Sequence, residues 1–340
     1  MHMADALLSP AVGAAGWAVS GGLLAYCSAK VKKSLDEKKI PLMGVLGAFV
    51  FAAQMINFTI PATGSSGHLG GAMLLAILLG PYAAFITIAS VLTIQAFFFA
   101  DGGILALGCN IFNLGFFPCF VAYPFIYKLI AKDETSGKLI TAGSFTAAVI
   151  GLQLGAFFVV LETVFSGISE LPFSTFVLMM QPVHLAIGVV EGLVTAAVVM
   201  FVWRERPEVL TGASLSAISL KKTMVSILIL AVFTGAVLSW FASSNPDGLE
   251  WSMFKTSGHE ELATPDNGIY NSASSVQEKT SFLPDYGFKT SGEEEGGEES
   301  WPAVSAGTSV SGIVGGGLTL LLAFGAGALL RRKSGVVTGI

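Results

Sequence analysis

Charge is what this chain has least of. Asp, Glu, Lys and Arg make up 12% of its 340 residues, about half the roughly 25% of an ordinary soluble domain. Apolar residues reach 53%, and the mean hydropathy is +0.72. A soluble globular enzyme is thereby excluded, and an all-α polytopic membrane protein is expected. Cysteine is scarce as well. Cys27, Cys109 and Cys119 lie in apolar stretches with no C-x-x-C spacing, which argues against a thiolate zinc site or a disulfide framework. The phosphate-binding pattern G-x-x-x-x-G-K-S/T is missing. The nearest string, Ser136-Gly137-Lys138-Leu139, lacks the first glycine and the final hydroxyl. Uphill transport would therefore need ATP hydrolysed by a partner. No internal repeat of the inverted-transporter kind is visible. No Lys or Arg precedes Lys30, so the basic leader of a signal peptide is missing. The N-terminus is expected to be retained, with bulky His2 keeping Met1 in place.

What the chain does have is long apolar runs. They cover about 7–29, 41–58, 70–100, 103–127, 139–165, 176–203, 223–241 and 310–330. Gly80-Pro81 interrupts the third. Fifteen of the 18 basic residues cluster in 30–39, 128–138, 204–222 and 331–333. If Gly80-Pro81 divides two segments, all four clusters fall on one face, as the positive-inside rule asks. The expected architecture is thus a seven-segment bundle followed by a two-helix hairpin, N-terminus outside and C-terminus cytoplasmic. The piece before Gly80 is too short to cross at 1.5 Å per residue. The division is 1–205 for the bundle, 206–222 for a basic cytoplasmic linker and 223–340 for the hairpin. An acidic loop at about 243–308 lies within the hairpin. Twelve of the 23 acidic residues lie between 243 and 306, including the run Glu293–Glu295, Glu298 and Glu299. This composition reads as flexible.

A histidine in second position can offer three nitrogens to a metal: the α-amine of Met1, the deprotonated amide of His2 and an imidazole nitrogen of His2. A fourth from a distant imidazole would complete a planar set suited to Ni(II), Cu(II) or Co(II) rather than Mg or Ca. The expected topology puts His68 on the same face, in the small-residue loop Pro61–Gly71. Thr63, Ser65 and Ser66 could orient its second nitrogen. His184 and Glu191 share a helical face. They read equally as support for the site or partner contacts on one hand, and as helix-packing hydrogen bonds on the other. Asp101, Asn110 and Asn113 read as bundle-stitching groups, and His259 as a solvated loop residue.

With these residues in view, the chain resembles the CbiM/NikM family, the substrate-capture components of energy-coupling-factor transporters for cobalt or nickel. The carrying motifs are Met1-His2 with Leu8-Ser9-Pro10, then Ser66–Gly71, then Ala100–Asn110, then His184–Gly192. Pro246–Glu250 and Leu283–Tyr286 resemble the small CbiN/NikN subunit, so the chain looks like a fusion of the two. The resemblance implies metal ligation by Met1, His2 and His68. It also implies a transmembrane coupling subunit, cytoplasmic ATPases, and a hairpin that aids metal loading. Transport would proceed by tilting of the capture component in the bilayer. No prosthetic group, enzymatic activity or nucleic-acid partner is expected, only transported Ni(II) or Co(II). In place of the family's usual His-Ile-Pro-Asp-Gly this chain reads His2-Met3-Ala4-Asp5-Ala6. Two alternatives stand beside this reading. A gradient-driven permease would use membrane carboxylates, for which only Glu162 and Glu191 qualify. An intramembrane metalloenzyme would lack the H-E-x-x-H motif.

Overall fold

The computed structural model describes residues 1–34, 36–132, 134–211, 217–259, 262–289 and 301–331. The acidic run 293–299 lies outside the described residues. Helices dominate. Seven segments come first: α1 (Pro10–Ser34), α2 (Ile40–Gln54), α3 (Ala72–Leu79), α4 (Pro81–Phe98), α5 (Leu107–Ile130), α6 (Gly137–Ser166) and α7 (Phe173–Glu205). A two-stranded hairpin, β1 (Phe58–Ile60) and β2 (Ser65–Gly67), separates α2 from α3, with Thr59 opposite Ser66. The C-terminal part contributes α8 (Ala217–Ala236), α9 (Gly248–Ser257), α10 (Gly268–Thr280) and α11 (Ala306–Leu329).

Among the described residues, six helices are long and apolar enough to cross a membrane: α1, α4, α5, α6, α7 and α11. The short members are interior elements. Every residue of α3 is buried, as is every residue of α2 except Pro41, as expected of helices apolar all round. At 15 and 8 residues they span about 22 and 12 Å, less than a hydrocarbon core of about 30 Å. Neighbouring helices, not lipid, cover them. α8 and α11 form the hairpin and pack on α2. Their backbones meet at Gly235 and Gly312, where a Cβ on Gly312 would fall 2.2 Å from the Gly235 carbonyl oxygen. α6 and α7 pack along one another and turn Leu178, Leu185 and Leu193 outward.

The break at Gly80-Pro81 is real and has a backbone cause. Gly80 sits at φ 85, ψ 160, which glycine adopts without Cβ strain. Pro81 opens α4, where its missing N–H is no loss. Within α5 the stretch Phe112–Tyr127 is wound as a π-helix around Pro118 and Pro124. Proline removes a backbone donor from the helical ladder and loosens it.

The expectation of a flexible 243–306 loop is corrected for its described residues, 243–259, 262–289 and 301–306. It carries α9 and α10, and it buries Leu249, Met253, Tyr270 and Leu283. Asp247 caps α9 by accepting from the amides of Leu249 and Glu250, and Glu250 returns a bond to the Asp247 amide. That reciprocal box starts a helix where bulk composition reads as polar linker. The basic residues gather at the opposite end of the bundle. Arg331 lies 3.8 Å from Glu37, Lys39 donates to the Leu78 carbonyl, and Lys128 pairs with Glu134 at 2.8 Å.

Candidate metal centre

Three loops and the N-terminal segment converge at one end of the bundle. The N-terminal residues are tied down by backbone first. Asn110 brackets Met3, accepting from its amide at 2.8 Å and donating to its carbonyl at 3.1 Å. The Gly103 amide donates to the same carbonyl. Asp5 accepts from the Ala106 amide. A Cβ at Gly103 would fall 1.8 Å from the Asp5 carboxylate, so only glycine admits this approach. These contacts seat the chain ahead of α1 and aim residues 1 and 2 inward.

The α-amine of Met1 lies 3.2 Å from Nε2 of His68 and 2.6 Å from Oδ2 of Asp247. The His68 Nδ1 donates to the Leu69 carbonyl at 3.1 Å. A carbonyl can only accept, so the proton sits on Nδ1 and the Nε2 lone pair faces the amine. The imidazoles of His2 and His68 stack, with centroids 4.9 Å apart and planes 17° apart. His2 Nδ1 donates to Asp101 at 2.8 Å, and its Nε2 is buried without a hydrogen-bond partner. Met1, His2 and His68 are thus brought together, with side chains 4%, 7% and 8% exposed.

Two carboxylates complete the site: Asp101, which the sequence reading took as a bundle-stitching group, and Asp247, to which it gave no role. Asp101 bridges His2 Nδ1 and the hydroxyl of Tyr286. Asp247 divides its labour: Oδ1 caps α9, while Oδ2 holds the amine. Burial alone would raise both carboxyls. Attraction to His2 and the bonds from His2 and Tyr286 hold Asp101 well below the usual carboxylate range. For Asp247 attraction to the amine, and the bond from it, do the same. Burial pushes the His68 imidazole down to about 3, helped by the positive charge of the amine. His68 is therefore a neutral base at pH 7. Among the described residues no group of three His, Cys, Asp or Glu side chains is gathered as a metal site.

The remaining sequence candidates fall in different places. Thr63, Ser65 and Ser66 do not touch the His68 ring. The Thr63 hydroxyl donates to the Ile60 carbonyl and bonds the Ser65 hydroxyl, closing the β1–β2 turn. Ser66 donates its hydroxyl to Asn245 and its amide to Pro246, fastening β2 to the C-terminal part. His184 donates Nδ1 to the Met180 carbonyl and leaves Nε2 without a partner. It lines a cavity of about 10 Å³ shared with Met1, His68 and Asp247. Glu191 is 3% exposed, and its two oxygens accept the Gly70 and Gly71 amides at 3.1 and 2.9 Å. Asn113 donates to Glu162 at 2.6 Å. His259 lies in the exposed turn after α9.

The C-terminal part grips each segment that carries a candidate ligand. Tyr270 donates to the Leu8 carbonyl, Trp251 to Thr63, and Gln277 to Gly102. It forms a roof over the site.

Residues 2–209 match the family model described as the cobalt uptake substrate-specific transmembrane region, CbiM. Residues 221–332 match the PDGLE domain. The chain is 32% identical over 329 residues to a putative fused nickel transport protein NikMN of Archaeoglobus fulgidus, covering 95% of this chain and 97% of that one. It is 31% identical over 217 residues to a putative cobalt transport protein CbiM of Methanocaldococcus jannaschii, covering 62% and 90%. A crystal structure of a truncated transition metal transporter superposes with a TM-score of 0.54 at 33% identity. It covers 60% of this chain and 99% of that one.

Proposed function

The chain belongs to the CbiM family of cobalt-uptake transmembrane components, joined here to a PDGLE domain, and from that premise we propose that it captures Ni(II) or Co(II) at the outer membrane face for an ATP-driven importer. The observation that carries this reading is the meeting of the Met1 amine, His2 and His68 in one buried pocket. In the proposed bound form the amine, the His2 amide nitrogen, His2 Nδ1 and His68 Nε2 form a planar four-nitrogen set, a geometry suited to these ions. Amine and amide close a five-membered chelate ring, and amide and Nδ1 close a six-membered one.

Asp247 holds the amine as ammonium, and Asp101 holds His2 Nδ1 as a donor. Both bonds would give way when metal enters: the ammonium and the His2 amide would each release a proton to water, the Nδ1 proton of His2 would move to its unpartnered Nε2, and the ring would turn out of its stack on His68. His68 needs no proton removed, because its Nε2 already presents a lone pair. Residues 1–205 are read as the capture module, 206–222 as a cytoplasmic linker and 223–340 as the part that roofs the site. The basic end of the bundle would face the cytoplasm, where a transmembrane coupling subunit and ATPases supply the energy. Thr63, Ser65, Ser66, Asn110, His184 and Glu191 then act by shaping the loops rather than by touching metal.

Insertion of one glycine before Met1 tests this directly, because it moves the amine by one residue, about 3.5 Å. The purified extended chain is expected to lose the absorption band of planar Ni(II) on titration. An undiminished band in the extended chain would sink the four-nitrogen assignment.

A further inference from the structure

A groove of about 920 Å³ runs between α6 and α7 at the basic end of the bundle. Along α7 that end lies about 30 Å from His184, so the groove is separate from the metal centre. Lys138 and Arg204 line its polar end, both exposed. Among the described residues no Asp or Glu lines it, and neither charge enters an ion pair. The floor there is fixed. The Trp203 indole donates to the Glu134 carbonyl at 3.0 Å, and a Cβ on Gly137 would fall 3.3 Å from its ring. Farther along the same two helices the lining turns apolar, with Phe145 from α6 and Leu193, Ala196 and Met200 from α7. Leu193 is 60% exposed, so the groove opens sideways from the bundle.

Length decides what fits. From Leu193 to Arg204, α7 rises about 16 Å. A hydrocarbon core of about 30 Å gives about 15 Å per leaflet. The groove is therefore one leaflet deep, charged where headgroups lie and apolar where acyl chains lie. An anion from solution would use only the charged end, and an uncharged lipid only the apolar one. We infer that the groove is a site for an anionic two-chain phospholipid, its phosphate between Lys138 and Arg204 and an acyl chain along Leu193 and Met200. Basic pockets between membrane-crossing helices take such headgroups by the same charge complementarity. The lipid lies along the seam of α6 and α7 and braces the pair at the end remote from His68. This inference concerns the membrane-crossing bundle alone and stands apart from the metal reading.

The test is native mass spectrometry of the purified full chain in detergent, titrated with dioleoyl-phosphatidylglycerol and, separately, with dioleoyl-phosphatidylcholine. The wild type should hold one phosphatidylglycerol, and hold it more tightly than phosphatidylcholine. One Lys or Arg beside an anionic headgroup is worth about 5-fold in affinity. Lys138→Gln/Arg204→Gln should therefore weaken phosphatidylglycerol about 25-fold and leave phosphatidylcholine unchanged. Lys32→Gln/Lys33→Gln removes two charges from the end of α1, outside the groove, and should change neither. Leu193→Trp fills the apolar stretch from its exposed side and should weaken both lipids. Millimolar inorganic phosphate should displace neither. Equal binding of the two lipids by the wild type overturns the site. So does an equal loss in Lys32→Gln/Lys33→Gln, which marks general attraction to a basic surface. Displacement by phosphate shows an anion site and overturns the lipid. If the glutamine pair keeps its phosphatidylglycerol but no longer co-purifies with a coupling subunit, the groove belongs to that protein and the inference fails. Lys138→Arg/Arg204→Lys keeps both charges and should bind as the wild type does, and a loss there overturns the charge pairing.

Discussion

Replacing Asp247 separates two jobs that one carboxylate performs. Oδ1 accepts from the amides of Leu249 and Glu250 at 2.7 and 2.9 Å, and Oδ2 accepts from the Met1 amine at 2.6 Å. Asp247→Asn keeps an oxygen for the cap but turns an amide donor toward the ammonium. Asp247→Ala removes both functions. Loss of an N-cap costs about 1 kcal/mol. Breaking a buried ion pair costs about 3–5 kcal/mol, and the low end applies because the Asp247 side chain is 15% exposed. The metal-free alanine variant should thus lose about 4 kcal/mol and the asparagine variant about 3. Thermal unfolding in detergent should rank wild type above asparagine above alanine. Saturation with Ni(II) should shrink the gap between wild type and asparagine but not the gap between asparagine and alanine. An amine bound to metal has given up the ammonium charge that pairs with Asp247, whereas the cap is untouched. Two indistinguishable variants would refute the capping account, and a gap that metal leaves unchanged would refute the exchange of Asp247 for metal.

Two further outcomes follow from the same contacts. His68 has its folded value lowered to about 3 from 6.5, so between these values the unfolded chain binds a proton that the folded chain does not. The metal-free protein should lose stability as pH falls below about 6.5, by up to about 1.4 kcal/mol per unit from this group. His68→Gln should flatten that slope, measured by unfolding between pH 7 and 4. Glu191→Ala leaves the Gly70 and Gly71 amides without acceptors, at about 1–3 kcal/mol each. Their hydrogen exchange should speed up at least about 10-fold while that of α4 does not, and unchanged exchange would show that Glu191 does not hold the loop.

Much of the architecture was readable because its causes are local. The Gly80-Pro81 break, the unbroken apolar runs of α2 and α3 and the basic clusters each state their physical reason within a few residues. The helix beginning at Gly248 was readable in principle too. Asp247 and Glu250 have capping-box spacing, but averaging composition over sixty residues hid it. The hydroxyls of Thr63, Ser65 and Ser66 were assigned to His68 because they are its neighbours in sequence. They serve the β-turn and the segment at 245–246 instead. Asp101, Asp247 and Tyr286 could not be read from pattern, since Asp247 meets Met1 across 246 positions and Tyr286 meets Asp101 across 185. Only the folded chain brings such groups together.

The grip of the C-terminal roof on the N-terminal segment also orders events during synthesis. The chain is made from amine to carboxyl end, yet the Met1 amine is held by Asp247 and the Leu8 carbonyl by Tyr270. These closures span most of the chain, and their loop entropy is recovered only once the later segments are in place. Until then the Met1 amine has no carboxylate to receive it, so a segment made early is among the last to find its place.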